Sequence, residues 1–211
     1  MPYPADTTPH LDCVVDQLAS DGFSITPGFV PEAEIEKLRS ECFALKQQGD
    51  MHSAAIGNDA GLQGEIRGDL VHRLDASTAS ESQRNYLTTL KVLRQKASHK
   101  LHLGLFDLEA HFAVFPPETF YRRHLDKFTD NQQRTLTCIL YLNANWVAED
   151  GGELRLYLGD GKHDSAYFDT LPQGGTLVCF LSERFWHEVL PARRERASIT
   201  GWLSTRSEKN V

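Results

Sequence analysis

From about residue 109 onward the chain is cut into short apolar segments by turn-forming residues, and this punctuation limits its fold more than any other feature. Candidate strands run over 109–115, 119–125, 134–142, 153–158, 166–169, 175–181, 187–190 and 196–204. Pro116-Pro117, Asp130-Asn131, Asp150-Gly151-Gly152, Gly159-Asp160-Gly161, Pro172 and Gly174-Gly175 separate them. Eight strands of this length at this spacing predict a β-sandwich or jelly roll.

The preceding residues follow a helical period instead. Leu11, Val14, Val15 and Leu18 predict a helix over roughly 9–20, ended by Asp21-Gly22. Phe23–Thr26 alternates like a strand, and Pro27-Gly28 turns the chain. Pro31 suits a first helical position, and Ile35, Leu38, Cys42 and Leu45 form one apolar stripe to about residue 48. Gly57, Gly61 and Gly64 mark 50–65 as a long loop, a kind that is usually functional or mobile. Ile66 to Leu74 reads as a strand, and Thr78-x-x-Glu81 as a capping box for a helix carrying Tyr86, Leu90, Leu93, Ala97 and Leu101. Helices first and strands after predict an α+β fold: a double-stranded β-helix (jelly roll) of about eight strands, with N-terminal helices packed on one sheet. No repeat or linker interrupts the sequence, so one domain over 1–211 is expected, with support over 1–105 and the jelly-roll core over 106–205.

Within the strand region, His124 and Asp126 stand two apart, so both can face the barrel interior. Two histidines and a carboxylate on one face of a metal, with positions open opposite, mark non-haem Fe(II) oxygenases. His187, opening a later strand, supplies the third ligand. His-x-Asp alone is weak: nine histidines and fifteen aspartates give roughly 0.6 such pairs by chance. His10-x-Asp12 is such a decoy, since residues i and i+2 on a helix do not share a face. What lifts His124 and Asp126 above that background is distal His187, with Arg196 nine residues beyond it.

The segment from about His111 to Thr205 resembles the catalytic domain of the 2-oxoglutarate- and Fe(II)-dependent prolyl hydroxylases. The likeness is to the kind that modifies hypoxia-inducible factor and to its bacterial relatives. The matching stretches are Tyr121-Arg-Arg-His-Leu-Asp126, Thr137-Cys-Ile-Leu-Tyr-Leu-Asn143, Gly151-Gly-Glu-Leu-Arg155, His187-Glu-Val-Leu-Pro191 and Arg196-Ala-Ser-Ile-Thr-Gly-Trp202, with Ile66-Arg-Gly-Asp69 upstream. The resemblance implies Fe(II) on His124, Asp126 and His187. It implies 2-oxoglutarate held by Arg196 through a bidentate pair, with Tyr141 on the same carboxylate and Thr200 and Trp202 lining the pocket. It also implies Arg134 as a substrate-pocket arginine paired with Asp69, and a substrate loop over about 50–80. Of Arg122 and Arg123, the one that shares the ligands' face would touch substrate; Arg122 is the candidate. Phe115 stands where the family often has tyrosine, which removes one hydroxyl near the co-substrate. The implied activity is C4 hydroxylation of a prolyl residue in a protein, using dioxygen, with ascorbate as reductant and succinate and CO2 as co-products. The implied partner is a protein carrying the target proline, with a component of the translation machinery as one candidate, and oxygen sensing as one role. Rival readings are oxidation of a free amino acid or small molecule, demethylation of a nucleic acid, a non-catalytic sensing module, and a structural zinc site.

Composition narrows these. The formal net charge of −7 over 211 residues disfavours non-specific nucleic-acid or membrane binding. Arg122-Arg123 and Arg193-Arg194 are short, local basic pairs, and Arg123, Arg193 and Arg194 read as solvated surface. Cys13, Cys42, Cys138 and Cys179 form no Cys-x-x-Cys motif and read as small buried hydrophobes. No signal peptide and no membrane-spanning apolar run is evident, so a reduced, cytoplasmic, monomeric enzyme is expected.

Overall fold

The computed structural model describes residues 7–54, 67–126, 133–160 and 165–206. Helices α1 (Thr7–Ser20), α2 (Glu32–Gln48) and α3 (Glu81–Leu101) precede or interleave with strands β1 (Phe23–Thr26), β2 (His52–Ser53) and β3 (Leu70–Arg73). The remaining strands are β4 (Asp107–Phe115), β5 (Tyr121–His124), β6 (Arg134–Tyr141), β7 (Leu154–Tyr157), β8 (Tyr167–Thr170), β9 (Leu177–Leu181), β10 (His187–Val189) and β11 (Arg196–Ser204). Each of the eight predicted strands after residue 106 is present. A seven-stranded sheet runs β1-β9-β6-β11-β4-β3-β2, and a four-stranded sheet runs β5-β10-β7-β8.

The strand period of two sorts the side chains of the large sheet into two cores. Phe112, Val114, Leu136, Cys138, Leu140, Ala197, Ile199 and Leu203 face the helices. Ala113, Phe115, Ile139 and Tyr141 face the small sheet, where they meet Leu154, Leu156, Phe185 and Val189. Both faces of β4, β6 and β11 are therefore covered, which is why these strands read as nearly continuous apolar runs. Helix α3 seals the outer core with Tyr86, Leu90, Leu93 and Ala97, all 0% exposed. At roughly 1.5–3 kcal/mol per large apolar side chain fully buried, this seam outweighs any capping interaction.

Four local expectations are corrected. The N-cap of α3 is Ser80, whose hydroxyl accepts from Gln83 N at 3.2 Å, not Thr78. Ser80 also donates to Glu41 on α2 at 2.8 Å, a tertiary bond that a capping motif in the sequence does not reveal. Pro31 precedes α2 as its N-cap, with φ −59° and ψ 144°, so its carbonyl starts the helix while its ring stays outside. The Ile66–Leu74 strand is regular only over Leu70–Arg73, with one isolated bridge, Arg67 to Tyr121, before it. Cys13 is exposed, because it falls between the Leu11 and Val14 stripes on the outer face of α1. The glycine-marked stretch 55–66, the Asp130-Asn131 turn and Gly161 lie outside the described residues. Among the described residues no helix is long and apolar enough to cross a membrane.

Candidate active site

The two sheets bring His124, Asp126 and His187 together. β10 pairs with β5 so that His187 sits opposite His124. One ligand atom from each of the three residues lies within 4.8 Å of the others, and all three residues are buried. His124 Nε2 is 3.5 Å from Asp126 Oδ1, and His187 Nε2 is 3.7 Å from Asp126 Oδ2. Each imidazole meets a main-chain carbonyl through Nδ1: His124 with Arg122 O at 2.7 Å, and His187 with Phe185 O at 3.1 Å. A carbonyl can only accept, so Nδ1 carries the proton and the Nε2 lone pair points into the cluster. Two imidazole nitrogens and one carboxylate oxygen are the donor set of a non-haem Fe(II) site.

Electrostatics favour a metal-ready state. Burial alone would raise the Asp126 carboxyl, but His187, His124 and the Trp202 N–H together hold it well below the usual carboxylate range. Burial, assisted by His124, brings His187 down to about 4, so it is neutral at physiological pH. His187 therefore needs to release no proton to accept a cation beside the ionised Asp126.

Beside the three ligands the cleft holds a buried arginine. β11 turns Arg196, Ser198, Thr200 and Trp202 toward the space between the sheets, and all four line one cleft with the three ligands. Arg196 is 2% exposed, and among the described residues its Nε and Nη1 have no hydrogen-bond partner. The Tyr141 hydroxyl is likewise buried and unpartnered. Burial raises the Tyr141 phenol against the pull of Arg196, so it is a donor. Buried unpaired donors cost about 1–3 kcal/mol each, more when charged, and donors of this kind could hold a carboxylate. The Phe115 ring lies 4.9 Å from the Arg196 guanidinium and supplies a π face at the predicted position of the missing hydroxyl.

The candidate substrate residues are arranged differently from expectation. Asp69 pairs with Arg67, through Nε at 2.7 Å and Nη2 at 2.5 Å, and not with Arg134. Arg134 instead reaches across Trp202, 3.5 Å from its ring, to Glu109 at 2.7 Å. The register explains the exchange: Trp202 lies between Glu109 on β4 and Thr137 on β6, so Glu109 is within an arginine's span. Arg122 is exposed and outside the cleft. Strand parity would put it beside His124, but the β5–β10 pairing matches His187 to His124 and Val189 to Tyr121, three residues against two. This bulge places Tyr121 on the ligand face, its ring stacked on His124 at 3.6 Å. Only the Arg122 carbonyl serves the site.

Sequence reasoning missed Tyr121, Arg67, Thr137 and Ser182. Thr137 shares the inward parity of Tyr141 on β6 and was legible by that rule. Tyr121 was hidden by the bulge. Arg67 packs its guanidinium 4.3 Å over Tyr121, a contact that needs close backbone approach: a Cβ at Gly68 would lie 2.7 Å from Thr119 Cβ.

Residues 110–204 match the family model described as the 2OG-Fe(II) oxygenase superfamily. The chain is 42% identical to a prolyl-4-hydroxylase of Pseudomonas putida of known structure, covering 93% of this chain and 100% of that one with a TM-score of 0.84. A prolyl hydroxylase from Trichoplax adhaerens, solved with a hypoxia-inducible factor oxygen degradation domain peptide fragment, is 26% identical over 94% of this chain and 90% of that one, with a TM-score of 0.83. Egl nine homolog 1 of Rattus norvegicus is 27% identical over 208 residues, which is 94% of this chain and 60% of that protein, so the chain spans about three fifths of that relative.

Proposed function

Because this chain belongs to the 2OG-Fe(II) oxygenase superfamily and, within it, to the prolyl hydroxylases, we propose that it hydroxylates C4 of a prolyl residue in a protein substrate. The observation that carries this reading is a buried His124-Asp126-His187 cluster sharing one cleft with Arg196, whose guanidinium lies 5.2 Å from the Tyr141 ring and, among the described residues, leaves two nitrogens without a partner. The first fits Fe(II), and the second fits the distal carboxylate of 2-oxoglutarate.

Bound together, Fe(II) and 2-oxoglutarate supply the oxidising power to place one oxygen of dioxygen on an unactivated C–H bond, with succinate and CO2 released. The chain supplies position. His124 and His187 would hold the metal, their rings oriented by the main-chain carbonyls at Nδ1. Arg196, with the Tyr141 hydroxyl beside it, would bind the distal carboxylate of the co-substrate and gain hydrogen bonds there. Leu154, Ile139 and Val189 line the cleft and keep it dry. Asp69, holding Arg67 over Tyr121, and Arg134, holding Trp202, shape the rim where the prolyl ring enters. The same reading takes ascorbate as reductant and a cytoplasmic setting. Its resemblance to compact bacterial members makes a translation-machinery component the first substrate to try, and oxygen sensing the role to test. A monomer is supported by the seating of all three helices in one core.

The test is direct. Purified protein with Fe(II), ascorbate and 2-oxoglutarate yields succinate, and a proline-containing protein substrate gains 16 mass units on proline. His124→Ala loses both metal binding and turnover. No succinate with or without peptides, or full activity in His124→Ala, would sink the reading.

A further inference from the structure

Asp126 is held by more than its neighbouring histidines. Its Oδ2 accepts the Thr137 hydroxyl at 2.7 Å and the Trp202 indole N–H at 2.9 Å. The Ser182 hydroxyl lies 2.8 Å behind Thr137. Thr137 has one proton, and the carboxylate takes it. Ser182 must therefore donate to Thr137, which gives the chain a direction: Ser182 to Thr137 to Asp126. Thr137 and Ser182 are both 0% exposed, so water cannot replace either hydroxyl. They are brought together by the β6–β9 pairing and by Ser182 N donating to Thr135 O at 3.0 Å.

A carboxylate oxygen offers two in-plane lone pairs. On Oδ2 both are filled, by Thr137 from β6 and by Trp202 from β11. On Oδ1 the nearest cluster atom is His124 Nε2, at 3.5 Å. We propose that Thr137, backed by Ser182 and flanked by Trp202, saturates Asp126 Oδ2 so that the carboxylate can offer a metal only Oδ1. Thr137 and Ser182 are positioning residues in this scheme. Their effect is to keep Asp126 from chelating through both oxygens, which would consume a coordination position needed by co-substrate or dioxygen. The inference rests on reading the cluster as an iron site.

Thr137→Val keeps the shape and removes the hydroxyl. Full-length metal-free protein is titrated with Co(II), whose visible bands report coordination number. The wild type binds with one spectrum. In Thr137→Val, affinity falls about 10–100-fold, the range for loss of a partner that orients a metal ligand, and the bands change in position and intensity. Thr137→Ser restores affinity and spectrum. Ser182→Ala moves both the same way, by a smaller factor. A merely structural threonine would change the unfolding midpoint of the metal-free protein and leave the Co(II) spectrum alone. Wild-type affinity and an unchanged spectrum in Thr137→Val overturn the inference; should that variant not fold, an indifferent Ser182→Ala does the same. A wild type that binds no Co(II) overturns the iron reading and this inference with it.

Discussion

Arg196 shows at a single residue how stability is traded for binding. Two of its nitrogens and the Tyr141 hydroxyl are buried without partners, a combination that destabilises a protein with no ligand bound. A buried donor left without a partner costs about 1–3 kcal/mol, more when the group is charged, and an apolar side chain of similar length removes that cost. Arg196→Met is therefore expected to raise the denaturant midpoint of the metal-free protein while abolishing 2-oxoglutarate binding in a calorimetric titration. A lower midpoint with binding retained would contradict this. His111 offers a pH prediction at the same scale. It lies beside Trp202, ring centroids 5.0 Å apart, and burial holds it at about 4, against its ordinary 6.5. A histidine with a depressed folded value contributes its full stability above about pH 6.5 and loses it progressively as pH falls toward 4. Between pH 7 and 4.5 the wild type should lose about 2 kcal/mol more than His111→Gln in urea unfolding. Arg196 and His187 were legible in the sequence because their spacing is itself the signal. Parity turns Thr137 inward but a lone hydroxyl does not mark it as functional, and Ser182 sits in the turn after β9, where a serine resembles any turn residue. The pairing of Asp69 with Arg67 was misread because charge identity does not say which of two arginines is in reach.

At the scale of elements, periodicity located the helices and the eight core strands, and failed where one residue was added or a tertiary bond intervened. The β5 bulge exchanged Arg122 for Tyr121 on the ligand face. The bond from Ser80 to Glu41 moved a helix cap by two residues. Two substitutions of comparable energetic cost separate the elements that carry the fold from those that carry the site. Ser80→Ala removes the α3 cap and should cost about 1 kcal/mol with no change in co-substrate affinity. Gly152 has φ +75°, and a Cβ there would lie 2.8 Å from Ala192 Cβ and 3.3 Å from Arg196 Cδ. Gly152→Ala should cost more than 1 kcal/mol and also weaken 2-oxoglutarate binding several-fold by displacing Arg196. Paired thermal melts and co-substrate titrations distinguish the two; equal effects on binding would refute the assignment.

Across the whole molecule, the site divides between the sheets. His124 and His187 belong to the four-stranded sheet, and Arg196 and Tyr141 to the seven-stranded sheet. A metal with 2-oxoglutarate on it would therefore tie one sheet to the other across the cleft, whereas the metal alone would tie only the strands and loop that hold its ligands. Binding to the folded state alone stabilises by RT ln(1 + [L]/Kd), about 2.7 kcal/mol at a hundredfold excess over Kd. For a protein of this size each kcal/mol moves the melting temperature by roughly 2–4 °C. Redox-silent Mn(II) followed by 2-oxoglutarate should raise the melting temperature in two steps, the second by roughly 5–10 °C at that excess. Chelator should reverse both steps, since the co-substrate is held in part by the metal. Arg196→Met should keep the first step and lose the second, and His124→Ala should lose both. If 2-oxoglutarate gave its full shift without metal, or if Arg196→Met kept the second step, the co-substrate would not be bridging the sheets through the metal, and the division of labour between them would have to be abandoned.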